Sequence, residues 1–166
     1  MADLPNGYEE FYLGTRDRCF RALLATVADV HEADDLLAEA YTRAFEAWSI
    51  VADHPVPSAW VVRTALNLHR DRWRKRSRLH LVAPAAEPRP AFSAEVDPAI
   101  LASISRLPRR QREVLVYRVL LDLSAETTAH ELGIEAGTVG THLRRALEAL
   151  RDDLNEQSNT IERART

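Results

Sequence analysis

Arg63, Asn67, Arg70 and Arg74 recur near the middle of the chain at intervals of four, three and four. Side chains at that spacing share one face of a helix. Three guanidiniums can neutralise a polyanionic backbone, while an amide among them both donates and accepts at an exposed polar edge. Arg72, Lys75, Arg76 and Arg78 add positive charge in the next turns, and Asp71 is the only acid from Pro57 to Arg78. A second stripe, Asp35, Glu39, Thr42 and Glu46, repeats the same intervals with acidic character beside Arg43.

Acid–base, nucleophilic and metal chemistry have no comparable pattern. His31, His54, His69, His130 and His142 lie in no HExxH array, and neither Ser58 nor Ser124 lies in a GxSxG elbow. The 5 glycines are scattered and form no phosphate loop. With Cys19 as the single cysteine, an internal disulfide and a multi-cysteine zinc site are both excluded, and Cys19 reads as a small core residue in a reducing compartment. The expectation is a protein that is not an enzyme, with no catalytic residue, no metal and no cofactor.

The elements that must position the two stripes follow from apolar periodicity. PSAWVVRTALNLHRDRWRKRSR reads as one helix over Pro57–Arg78, with Val61, Val62, Ala65, Leu66, Leu68 and Trp73 on its buried arc. Past Trp73 the cations appear all round, so the last turns should project from the body of the domain. Before it, a helix over Tyr8–Ala28 buries Phe11, Tyr12, Phe20, Leu23, Leu24 and Val27. A break at Asp29–Glu32 follows, then a helix over Ala33–Trp48 with Leu36, Leu37, Ala40, Tyr41, Ala44 and Trp48 inward. SIVADHPVP is expected to be a loop. These helices make a first domain over residues 1–80, and the proline-rich stretch 81–97 reads as a flexible linker.

The second domain, residues 98–166, opens with Asp97 as N-cap and Pro98 in the first turn, and Ile100, Leu101, Ile104 and Leu107 share a face. Pro108 starts a further helix with Val114, Leu115, Arg118 and Leu121 at helical spacing. Ser124 caps a short helix over Ala125–Leu132 that Gly133 ends. The last helix begins near Ala136 or Gly137, and the polar tail from Asn155 is expected to fray. Ala129, Gly133 and Val139 supply the small residue, the turn glycine and the buried apolar residue that a helix-turn-helix needs, with Leu132, Ile134 and Leu143 completing its core. Thr138, Gly140, Thr141, His142, Arg144 and Arg145 would then face a DNA major groove. The fold class is all-α, two small helical domains, the C-terminal one containing the helix-turn-helix.

The net charge of -3 hides a segregation of charge. Residues 1–54 carry 4 basic and 11 acidic side chains, residues 55–80 carry 7 and 1, and residues 99–166 carry 10 and 10. A polyanion site is therefore local. No run of 18 apolar residues could cross a bilayer, and the acidic MADLPNGYEE is unlike a basic signal peptide, which places the protein in the cytoplasm without a membrane partner.

LPRRQREVLVYRVLLDLSAETTAHELGIEAGTVGTHLRRALEALR resembles the promoter-reading C-terminal domain of bacterial sigma factors. HEADDLLAEAYTRAFEAW resembles the helix that such factors set against the polymerase clamp, and PSAWVVRTALNLHRDRWRKR resembles their promoter-melting segment. The order of these segments around a proline-rich spacer is similar to that of the small, extracytoplasmic-function (ECF) class. The resemblance implies core RNA polymerase and promoter DNA, both duplex and single-stranded, as partners, with an anti-sigma protein as a further partner of the class. It places Arg63, Asn67, Arg70, Arg72, Trp73, Arg74, Lys75 and Arg76 on the melted promoter, and Asp35, Leu36, Glu39, Thr42, Arg43 and Glu46 on the polymerase. Thr128, Glu135 and Gly140 depart from the residues usual in the family, so the promoter sequence does not follow from the resemblance. The rival is a stand-alone helix-turn-helix regulator resembling response-regulator output domains; no segment before Pro57 alternates as the strands of a receiver would.

Overall fold

Asp29 separates the first two helices and starts the second: its carboxylate accepts from the Glu32 backbone N–H at 2.8 Å. In this computed structural model, which describes residues 5–78 and 97–164, α1 spans Tyr8–Val27 and α2 spans Val30–Glu46. Because the cap lies at Asp29, α2 begins three residues earlier than periodicity alone places it. A single turn, α3 (Trp48–Val51), occupies part of the expected loop, and α4 runs unbroken over Pro57–Arg78.

These four helices form one compact unit. Val51, Val61, Val62, Ala65, Leu23, Leu36 and Leu37 are buried to 1% exposure or less, and each valine or leucine so placed contributes about 1.5–3 kcal/mol. The α1–α2 side is aromatic: Tyr8 meets Phe45 and Trp48 edge-on at 5.2 Å, and Tyr12 meets Tyr41 at 4.8 Å. The polar tips are satisfied, since the Tyr8 hydroxyl donates to the Tyr41 carbonyl at 2.8 Å and the Trp48 indole N–H donates to the Asn6 carbonyl at 2.9 Å. Cys19 lies in the α1–α4 seam with its Sγ 3.8 Å from the Ser58 carbonyl.

The second unit holds α5 (Pro98–Arg106), α6 (Arg109–Leu115), α7 (Ala125–Leu132) and α8 (Ala136–Ala164). Asp97 caps α5 through the Ala99 N–H at 2.8 Å, and Ser124 caps α7 through the Thr127 N–H at 3.0 Å, both as the sequence leads one to expect. Of the expected linker, only Asp97 falls within the described residues. Ile100 departs from its expected face: at 39% exposure it lies outside the core that Ile104 and Leu107 enter.

Two larger differences have clear causes. After Leu115 the helix widens into a π turn over Val116–Leu120, closed by the Leu121 N–H on the Val116 carbonyl at 3.0 Å. The extra residue per turn brings Val116, Tyr117 and Leu121 all inward, to 2% exposure or less, and leaves Val119 outside. Arg118, expected at helical spacing with the apolar residues, instead donates to the Leu123 carbonyl. The described part of the expected frayed tail is helical: α8 continues to Ala164 and is tied to α5, where Arg106 pairs with Asp153 at 2.8 Å and Gln157 donates to Ser103 at 3.1 Å.

Candidate nucleic-acid interface

The α4 stripe forms as its spacing dictates. Arg63, Asn67, Arg70 and Arg74 are all exposed on one side of a helix whose opposite side is core. The stripe is internally braced: Arg70 donates to the Asn67 side-chain oxygen at 2.9 Å and Arg74 to Asp71. Asn67 is exposed, and its amide N–H group makes no hydrogen bond among the described residues. The hydrogen bond and charge of the Arg74 guanidinium hold the Asp71 carboxyl below its usual range. Lys75 is exposed and has no ion pair among the described residues.

Trp73 overturns its assignment to the buried arc, being 61% exposed. The cause lies in α2. His69, Arg72 and Arg76, at intervals of three and four, take the α2-facing side in these turns, and what they meet is polar: Glu32 accepts from His69 Nδ1 and from Arg76, each at 3.0 Å, and Glu39 accepts from Arg72 at 2.8 Å. Trp73, one residue from Arg72, is turned to solvent. Through Arg76 the helix therefore stays against α2 and does not project from the domain.

On α2, Asp35, Thr42, Arg43 and Glu46 are exposed and Glu39 is half-buried. Glu39 receives Arg43 on one oxygen and Arg72 on the other, both at 2.8 Å. Partial burial would raise its carboxyl, but the hydrogen bonds from Arg72 and Arg43 prevail and hold it below the usual carboxylate range. Leu36 does not belong with them. It is wholly buried and cannot touch a partner, since position 36 lies on the apolar side between Ala33 and Leu37. Beside the stripe, Tyr8, Tyr12, Ala38, Tyr41, Thr42 and Phe45 line an open hollow of about 310 Å³, an aromatic feature that charge spacing does not disclose.

In the second unit, Val114, Ala129 and Val139 form a buried cluster against which Ala125, Leu132, Ile134 and Leu143 pack. Gly133 adopts φ 62°, ψ 41°, the left-handed conformation the turn requires, and the Ile134 N–H closes on the Ala129 carbonyl at 3.0 Å. Glu135, where a hydroxyl cap is usual, is served by its own carbonyl: the Thr138 N–H and hydroxyl donate to it at 3.0 and 2.8 Å. Thr138, Gly140, Thr141, Arg144 and Arg145 are exposed along the first turns of α8, while His142 is half-buried. Arg144 is paired to Glu148 at 2.9 Å; Arg145 has no ion pair among the described residues. No group of three or more residues that could hold a metal occurs among the described residues.

An all-helical pair of units, one with a basic helix and one with a helix-turn-helix, defines a DNA-engaging protein. Residues 12–79 match the model of sigma-70 region 2 and residues 98–150 that of sigma-70 region 4. The chain is 32% identical over 154 residues to an RNA polymerase sigma-E factor of Streptomyces avermitilis, covering 90% of this chain and 86% of that protein. It is 30% identical over 159 residues to the ECF RNA polymerase sigma factor SigW of Bacillus subtilis, covering 85% of each. Its fold is that of the sigma factor RpoE solved in complex with the anti-sigma factor NepR from Bartonella quintana, with a TM-score of 0.76 at 19% identity over 91% of this chain and 98% of that one. The chain belongs to the sigma-70 family, in its ECF class, and is an RNA polymerase sigma factor.

Proposed function

We propose that α4 holds promoter DNA while its strands separate, that the exposed α2 stripe docks on core RNA polymerase, and that the first turns of α8 read a duplex element upstream. The observation that carries the reading is the outer side of α4, where Arg63, Asn67, Arg70 and Arg74 are exposed beside an exposed Trp73. A factor without nucleotide hydrolysis favours the open promoter only by binding unpaired strands better than paired ones. Cations alone do not discriminate between the two. An exposed indole does, because an unstacked base can lie on it for about 1–3 kcal/mol, and so does an exposed amide whose N–H donors can meet a released base edge. The polymerase carries the catalysis, and this chain supplies position and selectivity.

Core polymerase is the partner for Asp35, Glu39, Thr42, Arg43 and Glu46, and promoter DNA for α4 and α8. An anti-sigma protein is a further partner, by likeness to the sigma factor RpoE solved with the anti-sigma factor NepR. Among the described residues no helix is long and apolar enough to cross a membrane, and the polymerase places the factor in the cytoplasm. The test is Asn67→Ala in reconstituted transcription. The variant should bind core polymerase and form a closed complex, lose permanganate reactivity of unpaired thymines, and regain activity on a pre-melted template. Equal failure on duplex and pre-melted templates, with polymerase binding intact, would make α4 a general phosphate clamp.

A further inference from the structure

The two surfaces of the first unit share an ion pair. Glu39 belongs to the α2 stripe, and one of the two guanidiniums it holds, Arg72 at 2.8 Å, belongs to the cations of α4. A guanidinium engaged with a carboxylate cannot at the same moment present those N–H groups to a phosphate, nor can the carboxylate present the same oxygen to a cation of another protein. Arg43, from one turn along α2, holds the other oxygen of Glu39 at 2.8 Å. If Arg72 left, Glu39 would remain paired, so release strands no charge.

We propose that the Arg72–Glu39 pair is an autoinhibitory latch, which withholds Arg72 from DNA in the free chain and opens when a cationic group of the polymerase engages Glu39. The proposal rests on the assignment of α2 to polymerase and α4 to DNA. By linkage the effect is reciprocal: whatever engages Glu39 favours DNA on α4, and DNA on α4 favours that engagement. Its size is bounded by exposure. The side chains of Arg72 and Glu39 are 38% and 36% exposed, and pairs so screened bias an equilibrium by about two- to fivefold. Such a latch favours DNA capture in the assembled enzyme over capture by the lone factor, without forbidding the latter.

The experiment measures binding of fluorescent oligothymidine to the full chain at low salt, without polymerase, by anisotropy. Glu46→Gln is the reference for Glu39→Gln: it removes the same charge from the same face, and Glu46 makes no ion pair among the described residues. Glu39→Gln should bind about two- to fivefold tighter than Glu46→Gln, and this difference should vanish when both are placed in an Arg72→Gln background. Equal affinity of Glu39→Gln and Glu46→Gln, absence of binding by both included, overturns the latch, as does a gain that survives Arg72→Gln. Arg63→Gln and Asn67→Ala separate the two failures. If they weaken binding while Glu39→Gln matches Glu46→Gln, only the latch is wrong; if they change nothing in any background, the assignment of α4 to DNA is wrong as well.

Discussion

Gln157 donates to Ser103 at 3.1 Å across 54 positions of sequence, fastening the later turns of α8 to α5. Asp153 completes the contact, accepting from Arg106 at 2.8 Å and from Gln157 at 3.0 Å. The stretch beyond the helix-turn-helix is thus part of the second unit. α8 does not rest on propensity alone, since α5 holds its turns at Asp153 and Gln157.

The same contact carries a dependence on pH. Ser103, the Arg106 guanidinium and Gln157, gathered around it, hold the Asp153 carboxyl below its ordinary value of 3.8. A carboxyl lowered on folding stabilises the native state above its unfolded value, and that contribution disappears as pH falls through the folded one. Asp153→Asn should therefore have a lower Tm than the native chain near neutrality, and the two should converge as pH is taken below about 3.8. Thermal unfolding followed by circular dichroism at stepped pH checks this. A gap that stayed constant down the series would assign the loss to something other than the carboxylate.

Thr128 supplies a prediction of opposite sign. It is wholly buried in α7, and its Oγ1 has no hydrogen-bond partner among the described residues. A buried hydroxyl left unpaired costs about 1–3 kcal/mol, whereas its methyl group packs as an aliphatic residue would. Thr128→Val keeps the shape and removes the penalty, so urea unfolding should show a gain of about 1–2 kcal/mol. Val139→Ala, in the adjoining cluster, should lose about 2 kcal/mol.

Much of this arrangement could be read from the chain because its causes are local. Asp97, Ser124 and Gly133 act on backbone groups within a few residues, and the Val61, Val62, Ala65 and Leu66 pattern declares its own buried side. What escaped was non-local. Nothing in the spacing of Arg72 and Arg76 says that Glu39 and Glu32 lie beside them, and so nothing says that Trp73 is turned outward. Leu36 was legible as core from its periodicity; only its grouping with the charged stripe placed it at a surface. The π turn after Leu115 also has no local signal, since it reconciles two sets of inward positions that become defined only when α7 and α8 are packed.

Cys19 gives a probe of opening. Its thiol is 0% exposed, and burial in the α1–α4 seam pushes its pKa up to about 11. The thiolate is the species that reacts with disulfide reagents, so both access and ionisation oppose modification in the native unit. Labelling near neutral pH should be slow and should accelerate in urea with the unfolding transition. Fast labelling of the folded chain would show that α1 and α4 separate locally.

The final prediction concerns the two arginines of α8. Arg144 is tied to Glu148 at 2.9 Å, one turn along the same helix, whereas Arg145 has no ion pair among the described residues. Glu148 engages Nη1 alone, so the remaining N–H groups of Arg144, oriented by that pair, are free to meet a base edge with less loss of freedom, and a planar fork suits guanine. An unheld one serves a phosphate equally well. Arg144→Ala should therefore relax the preference at one position of the upstream element, with a loss of about 1–3 kcal/mol against the preferred base. Arg145→Ala should weaken all sequences alike and lower the salt slope by about one unit. Glu148→Ala adds a discriminating arm, since freeing Arg144 should blunt its base preference without abolishing binding. A promoter-variant library assayed at two salt concentrations measures all three, and a reversal of the first two profiles would exchange the roles of Arg144 and Arg145.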